Sequence, residues 1–128
     1  MMQDHDAIRS TIAEIRALMA KQDAVSSPTL SRLRWRLTRD LLLHMSVERD
    51  QFRRNGVLDH ARGWDGEAVE VRYRGHLARW TVDRIAAHWA VFSAEFGDLL
   101  RAIERCMAYE EMNLYPSLYD GARNRRIQ

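Results

Sequence analysis

Cysteine is nearly absent from this chain: Cys106 stands alone, so no disulfide can form within it, which fits a reducing compartment. Long apolar runs are missing as well. No stretch approaches the roughly 20 uninterrupted apolar residues of a membrane span, so a soluble protein with no membrane partner is expected. The opening Met1-Met2-Gln3-Asp4-His5-Asp6 carries acids and no basic segment leading into an apolar run, so it does not read as a secretory signal, and a cytoplasmic location is expected by default. Charge of one sign is also lacking. Twenty basic residues against 18 acidic ones leave a net charge of +2, too little to draw the chain to nucleic acid or anionic lipid. Lysine occurs only at Lys21, the other basic residues being Arg, a bias that reads as codon usage rather than phosphate recognition. Arg32, Arg34, Arg36 and Arg39 beside Trp35 do not form a basic stripe, because positions two apart point to different sides of a helix and Asp40 dilutes the charge. No Gly-rich phosphate loop, paired-cysteine metal motif or nucleophile elbow is present.

What is present is 128 residues, 46% of them apolar, enough for one core and one domain spanning 1–128, with its core at about 3–118 and a polar C-terminal tail. Ile8, Ile12, Ile15 and Met19 recur at helical spacing and predict a first helix over 4–22, and stepping back three residues adds His5 to the same stripe. Ser27-Pro28 is an N-cap and first-turn pair. It opens a second helix through Leu30, Leu33, Leu37, Leu41, His44, Val47 and Glu48 to about Arg54, which Asn55-Gly56 end. Residues 56–74 read as a connecting loop, because Gly56, Gly63 and Gly66 break any period and Val69 to Tyr73 alternates briefly like an unpaired strand. A third helix is predicted over 76–96, with Trp80, Ile85, His88, Trp89 and Phe92 facing inward. A turn follows at Gly97-Asp98, then a fourth helix over 98–115 that Pro116 ends. These helices make the expected fold class all-α, an up-down-up-down antiparallel four-helix bundle.

Each predicted helix carries a ligand-type residue on the face that should be apolar: His5, His44 with Glu48, His88, and Cys106 with Glu110 or Glu111. Histidine and ionised glutamate are costly to bury without a partner, and bundles build metal sites on such inward faces. His44-x-x-x-Glu48 places both side chains on one face a turn apart. His5 and His44 are level across a hairpin centred near Ala24-Val25, and His88 faces Cys106 if Gly97 is a turn. Bland alternatives stand beside these. His44 and His88 also read as hydrogen-bonded core residues, Cys106 as a small buried hydrophobe, and Glu110-Glu111 as an exposed acidic pair. His60 and His76 are expected to face solvent.

The same residues resemble the hemerythrin family and its bacterial relatives with the His-His-Glu cation-binding pattern, over about residues 3–118. Asp4-His5-Asp6-Ala7-Ile8 is similar to the family's opening helix and His44-Met45-Ser46-Val47-Glu48 to its His-x-x-x-Glu element. Cys106 to Pro116 is similar to its closing histidine, paired glutamates and Leu-aromatic-Pro. The resemblance implies a metal set of His5, His44, Glu48, His88, Cys106, Glu110 and Glu111. It implies iron, as a di-iron or degenerate centre, with dioxygen or another diatomic molecule as its ligand and a non-enzymatic role in oxygen, nitric oxide or redox and iron response. Two positions depart from the pattern. Cys106 stands where the closing histidine belongs, and Arg84, four residues before His88, stands where a second histidine belongs and brings a charge that can replace an ion by pairing with a carboxylate. A single ion on His5, His44, Glu48 and His88, of types that also suit zinc, is one alternative. A metal-free bundle acting as an interaction or homodimerisation module through Trp35 and Trp80 is another.

Overall fold

The structure is a computed structural model that describes residues 2–21, 28–57, 63–116 and 118. It is all-α. Helix α1 (Met2–Met19) buries Ile8, Ile12 and Ile15 on one stripe. Helix α2 (Pro28–Arg54) starts on proline, whose fixed φ suits a first turn, and buries Leu30, Leu33, Leu37, Leu41, His44, Glu48 and Phe52 at intervals of three and four. Gly56 ends it with a φ of 65°, the left-handed conformation that glycine adopts without penalty. Helix α3 (Gly66–Arg79) follows, then a short α4 (Val82–Ala87) whose first turn is capped by Thr81, its hydroxyl accepting from the Arg84 N–H. Helix α5 (Trp89–Tyr109) continues into a π-helical turn over Glu110–Leu114.

Helix α1 packs on α2 and α5, α3 packs on α2 and α5, and α4 lies on α5. Apolar side chains from all five helices, among them Ile12, Leu37, Val69, Ile85 and Phe96, form one contiguous cluster. A smaller one, Phe52, Val57, Leu114 and Tyr115, closes the end where α2 finishes beside the π turn. Polar links fix the register: Arg16 reaches Glu104 at 2.5 Å, and the hydroxyls of Thr38 and Tyr73 meet at 2.8 Å. Among the described residues no helix is long and apolar enough to cross a membrane.

The second half of the chain differs from its sequence expectation. Residues 66–79 form a helix rather than a loop, because Val69, Tyr73 and His76 recur at helical spacing and bury together, while Val71 of the apparent strand is 72% exposed. The break expected at Gly97-Asp98 lies instead at Trp80-Thr81 and at His88. The burial of Phe92, Phe96, Leu99, Leu100 and Ile103 on one face keeps α5 helical through Gly97, since packing of an amphipathic face outweighs the propensity cost of one glycine. The expected first turn at 23–27, with its Ser27 cap, lies outside the described residues, as do His60 and the tail beyond Asp120.

A continuous α5 makes Gly97→Ala a direct test. An added Cβ meets nothing nearer than the Arg101 guanidinium at 3.8 Å, so the variant should stabilise the fold by about 0.5–1 kcal/mol in denaturant melts. A loss of stability would mean that residue 97 is not in a helix.

Candidate metal centre

Three segments converge at one end of the structure. His5 lies early in α1, His44 and Glu48 lie one turn apart on the inner face of α2, and Glu110 opens the π turn after α5. One ligand-type atom from each of these four buried side chains falls within 4.8 Å of all the others. His44 Nε2 is 2.9 Å from Glu48 Oε2. His5 Nε2 is 3.2 Å from Glu110 Oε1 and 3.5 Å from Glu48 Oε2. The imidazoles meet edge to face with centroids 4.7 Å apart. Around one ion with bonds of about 2.1 Å, neighbouring donors stand about 3.0 Å apart in octahedral and about 3.4 Å in tetrahedral geometry, so these three contacts match neighbouring donors, while the 4.8 Å span of the whole set would have to close slightly for one cation to reach all four. Two imidazoles with carboxylates suit iron, zinc or manganese.

A second ring of groups orients these four. Glu111 Oε2 lies 2.7 Å from His5 Nδ1, and Arg9 donates to the other Glu111 oxygen at 2.9 Å. Asp4 Oδ2 lies 3.2 Å from His44 Nδ1, so each imidazole has a carboxylate behind it, as metal-bound histidines usually do. The Trp64 indole N–H donates to Glu110 Oε2 at 2.7 Å, and the Cys106 thiol donates to the same oxygen at 3.5 Å. Tyr115 donates its hydroxyl proton to Glu48 Oε2 at 2.5 Å, and its oxygen lies 2.8 Å from His5 Nε2. Trp64 reaches inward only because residue 66 is glycine, where a Cβ would fall 2.1 Å from the indole. Outside, a cleft of about 330 Å³ lined by Asp4, Ala7, Asp40, Leu43, His44 and Val47 opens on the His44 side.

Charge in the cluster is unevenly matched. Burial opposes the His5 imidazolium, but hydrogen bonds to Glu110, Glu48 and Glu111 outweigh it and push its pKa up to about 9. Burial would likewise raise Glu48, yet its bonds to His44 and His5 hold it far below the ordinary carboxylate range. Glu110 is pushed up to about 7, by burial first and then by the bond and charge of Glu48, while His5 and Trp64 pull the other way. A bond from Arg9 keeps Glu111 low. Burial and the neighbouring Glu110 and Asp65 charges drive the Cys106 thiol far up, so it stays protonated.

Of the seven residues read from the sequence, four lie in the cluster and two stand behind it, Glu111 on His5 and Cys106 on Glu110. His88 is a correction. It is exposed at the junction of α4 and α5 rather than inward, because α5 has no turn at Gly97, and Cys106 lies 18 residues further along the same helix, about 27 Å at 1.5 Å per residue. Arg84 is exposed too, over the Trp80 ring at 5.9 Å, and pairs with no site carboxylate; the guanidinium that approaches the site is Arg9. His76, expected in solvent, is buried, and so is Trp80, whereas Trp35 is 68% exposed. Sequence reasoning missed Tyr115, Trp64, Asp4 and Arg9 as parts of the site, although Tyr115, next to Pro116 in the Leu-aromatic-Pro element, and Asp4, in the opening element, lay within the motifs it used. Comparison with known proteins adds no relative: no family model, no curated protein and no solved structure matches this chain.

With a chelator present to exclude any metal, the chain should lose stability as pH rises from 6.5 to 9.5. His5 and Glu110 have folded pKa values above their ordinary 6.5 and 4.5, so each stabilises the fold below its ordinary value. Those contributions vanish as pH climbs through about 7 for Glu110 and about 9 for His5. The loss should be on the order of 2 kcal/mol in guanidinium melts; a flat or rising midpoint would contradict the buried imidazolium–carboxylate arrangement.

Proposed function

We propose that this chain is a hemerythrin-like four-helix bundle that holds one iron ion on His5, His44, Glu48 and Glu110 and serves a non-enzymatic response to dioxygen, nitric oxide or redox and iron status. The observation that carries the reading is the convergence of four ligand-type atoms from three segments within 4.8 Å. The order of packing supports the bundle: α1 on α2, α2 on α3, α3 on α5 and α5 back on α1 make a closed ring of four long helices, with α4 as an elbow before the last. Charge supports the cation, because Glu48 and Glu110 are buried side by side and a positive ion offsets the burial and the Glu48 charge that push Glu110 up to about 7. The donor count favours one ion over two, since a pair would call on His88 and Cys106, and neither offers an atom to the cluster.

Iron held there would supply binding of a diatomic ligand and one-electron exchange. The residues of the chain do the rest. Glu111 and Asp4 fix the ring planes of His5 and His44, Trp64 covers Glu110, and Ala7, Leu43 and Val47 line the cleft through which a small uncharged molecule reaches His44.

A metal-free interaction module is the second reading. Among the described residues, no buried atom of this cluster lacks a hydrogen-bond partner, and Trp35, Leu43 and Val47 leave apolar surface on α2.

Elemental analysis of protein from iron-replete cells separates the two. The metal reading expects close to one iron per chain and a melting temperature that rises with added metal, by about 2.7 kcal/mol of stability at a hundredfold excess over Kd. Glu48→Gln should weaken metal binding by about tenfold or more while circular dichroism keeps the helix content. Less than about one metal ion of any kind in ten chains, with no thermal shift, favours the module.

A further inference from the structure

The hydroxyl of Tyr115 lies inside the cluster rather than beside it. The side chain is buried, its oxygen stands 2.5 Å from Glu48 Oε2 and 2.8 Å from His5 Nε2, and its ring stacks on His5 with centroids 5.2 Å apart. Those spacings are close to the roughly 3 Å edge between donors that share an ion. The backbone is what puts it there. The Tyr115 N–H donates to the carbonyl of Glu110, five residues back, a π-type bond. Residues five apart on an α-helix point about 140° away from one another, but across this wider turn they come to the same side, so Glu110 and Tyr115 both face His5.

We propose that Tyr115 is a fifth donor to the same ion, its phenol oxygen coordinating as phenolate, and that the site therefore selects ferric over ferrous iron. The proposal rests on the metal reading above. Two carboxylates and one phenolate supply three negative charges, which match Fe³⁺ with His5 and His44 neutral and leave Fe²⁺ overcompensated. No electron moves in the binding step: the phenol proton that Glu48 accepts in the metal-free chain, the Nε2 proton of the His5 imidazolium and any proton on Glu110 leave to solvent, and the lone pairs that remain go to the ion. Glu110 and Glu48 then bind as carboxylates, and Trp64 and the Cys106 thiol keep their bonds to the outer oxygen of Glu110.

The test loads the whole chain with ferric citrate and reads iron content, visible absorption and resonance Raman together. A phenolate on ferric iron gives a visible charge-transfer band and enhances tyrosinate vibrations, neither of which zinc, a closed-shell ion, can produce. Wild-type protein should be coloured and show tyrosinate bands. Tyr115→Phe should lose both and bind ferric iron about tenfold more weakly, while Tyr73→Phe and Tyr109→Phe keep them. Iron bound without tyrosinate bands, or bands that survive in Tyr115→Phe, overturns the proposal and leaves the metal reading standing. Failure of the wild-type chain to take up iron sinks both. The wild-type Raman spectrum decides the matter even if the Phe variant does not fold.

Discussion

His5 is buried among three carboxylates, and the rest of the arrangement follows from that contact. Glu48 comes from α2, Glu110 and Glu111 from the π turn, and the bond between His5 and Glu111 joins residues 106 apart in the chain. Taking such groups out of water costs several kcal/mol per ion, and it is tolerated only where geometry and hydrogen bonds satisfy every atom. The requirement fixes α1 in both rotation and height. With His5 turned inward, Ile8, Ile12 and Ile15 must face the core and Arg9 must fall beside Glu111. The balance still leaves more negative than positive charge at this end of the molecule.

A third buried histidine, outside the cluster, shows why the same residue type does not make a second such site. His76 lies against Phe92 and Phe96, with its Nδ1 2.7 Å from Glu95, a single carboxylate that also takes bonds from Arg79 and Trp80. Burial lowers the His76 pKa, and the nearby Arg34 and Arg79 charges push the same way against one glutamate. His76 therefore stays a neutral core histidine between two guanidiniums, and although its buried Nε2 has no hydrogen-bond partner, the cations beside it disfavour a metal ion there. What separates the two places is the local ratio of acids to bases, and a histidine's position on an inward face is silent about that.

This difference explains how much could be read from the sequence. The all-helical class was legible in the stripes of α1 and α2, where spacing, the proline start and the glycine end agree. His44 with Glu48 needed only the geometry of one helix, and His5 only the symmetry of one hairpin. Beyond Gly56 the local signals conflict with packing. Gly66 looked like a breaker but opens α3 and makes room for Trp64, and Gly97 looked like a turn but lies inside α5. His88 was misplaced because its inferred height depended on that false turn. The carboxylates Glu110 and Glu111 were found through a motif, whereas the contacts of Trp64 and Tyr115 arise from segments that no spacing rule connects.

The π turn is the feature least visible in sequence and the one that most shapes the site. Consecutive glutamates on an α-helix diverge by about 100°, so one of them should point away from a common target. Here Glu110 and Glu111 hold opposite nitrogens of one imidazole, and Tyr115 returns to the same ring from the far side of the turn. A widened turn gives up regular helical bonding, and such turns gather where side chains must converge in a way the regular helix forbids. The widened turn lies beside Phe52 and Val57, and its own Leu114 joins them in the small second apolar cluster, which packs it in place. That the helix distorts at the residues that surround His5, and among its described residues at no other place, ties the backbone itself to the assembly of the cluster.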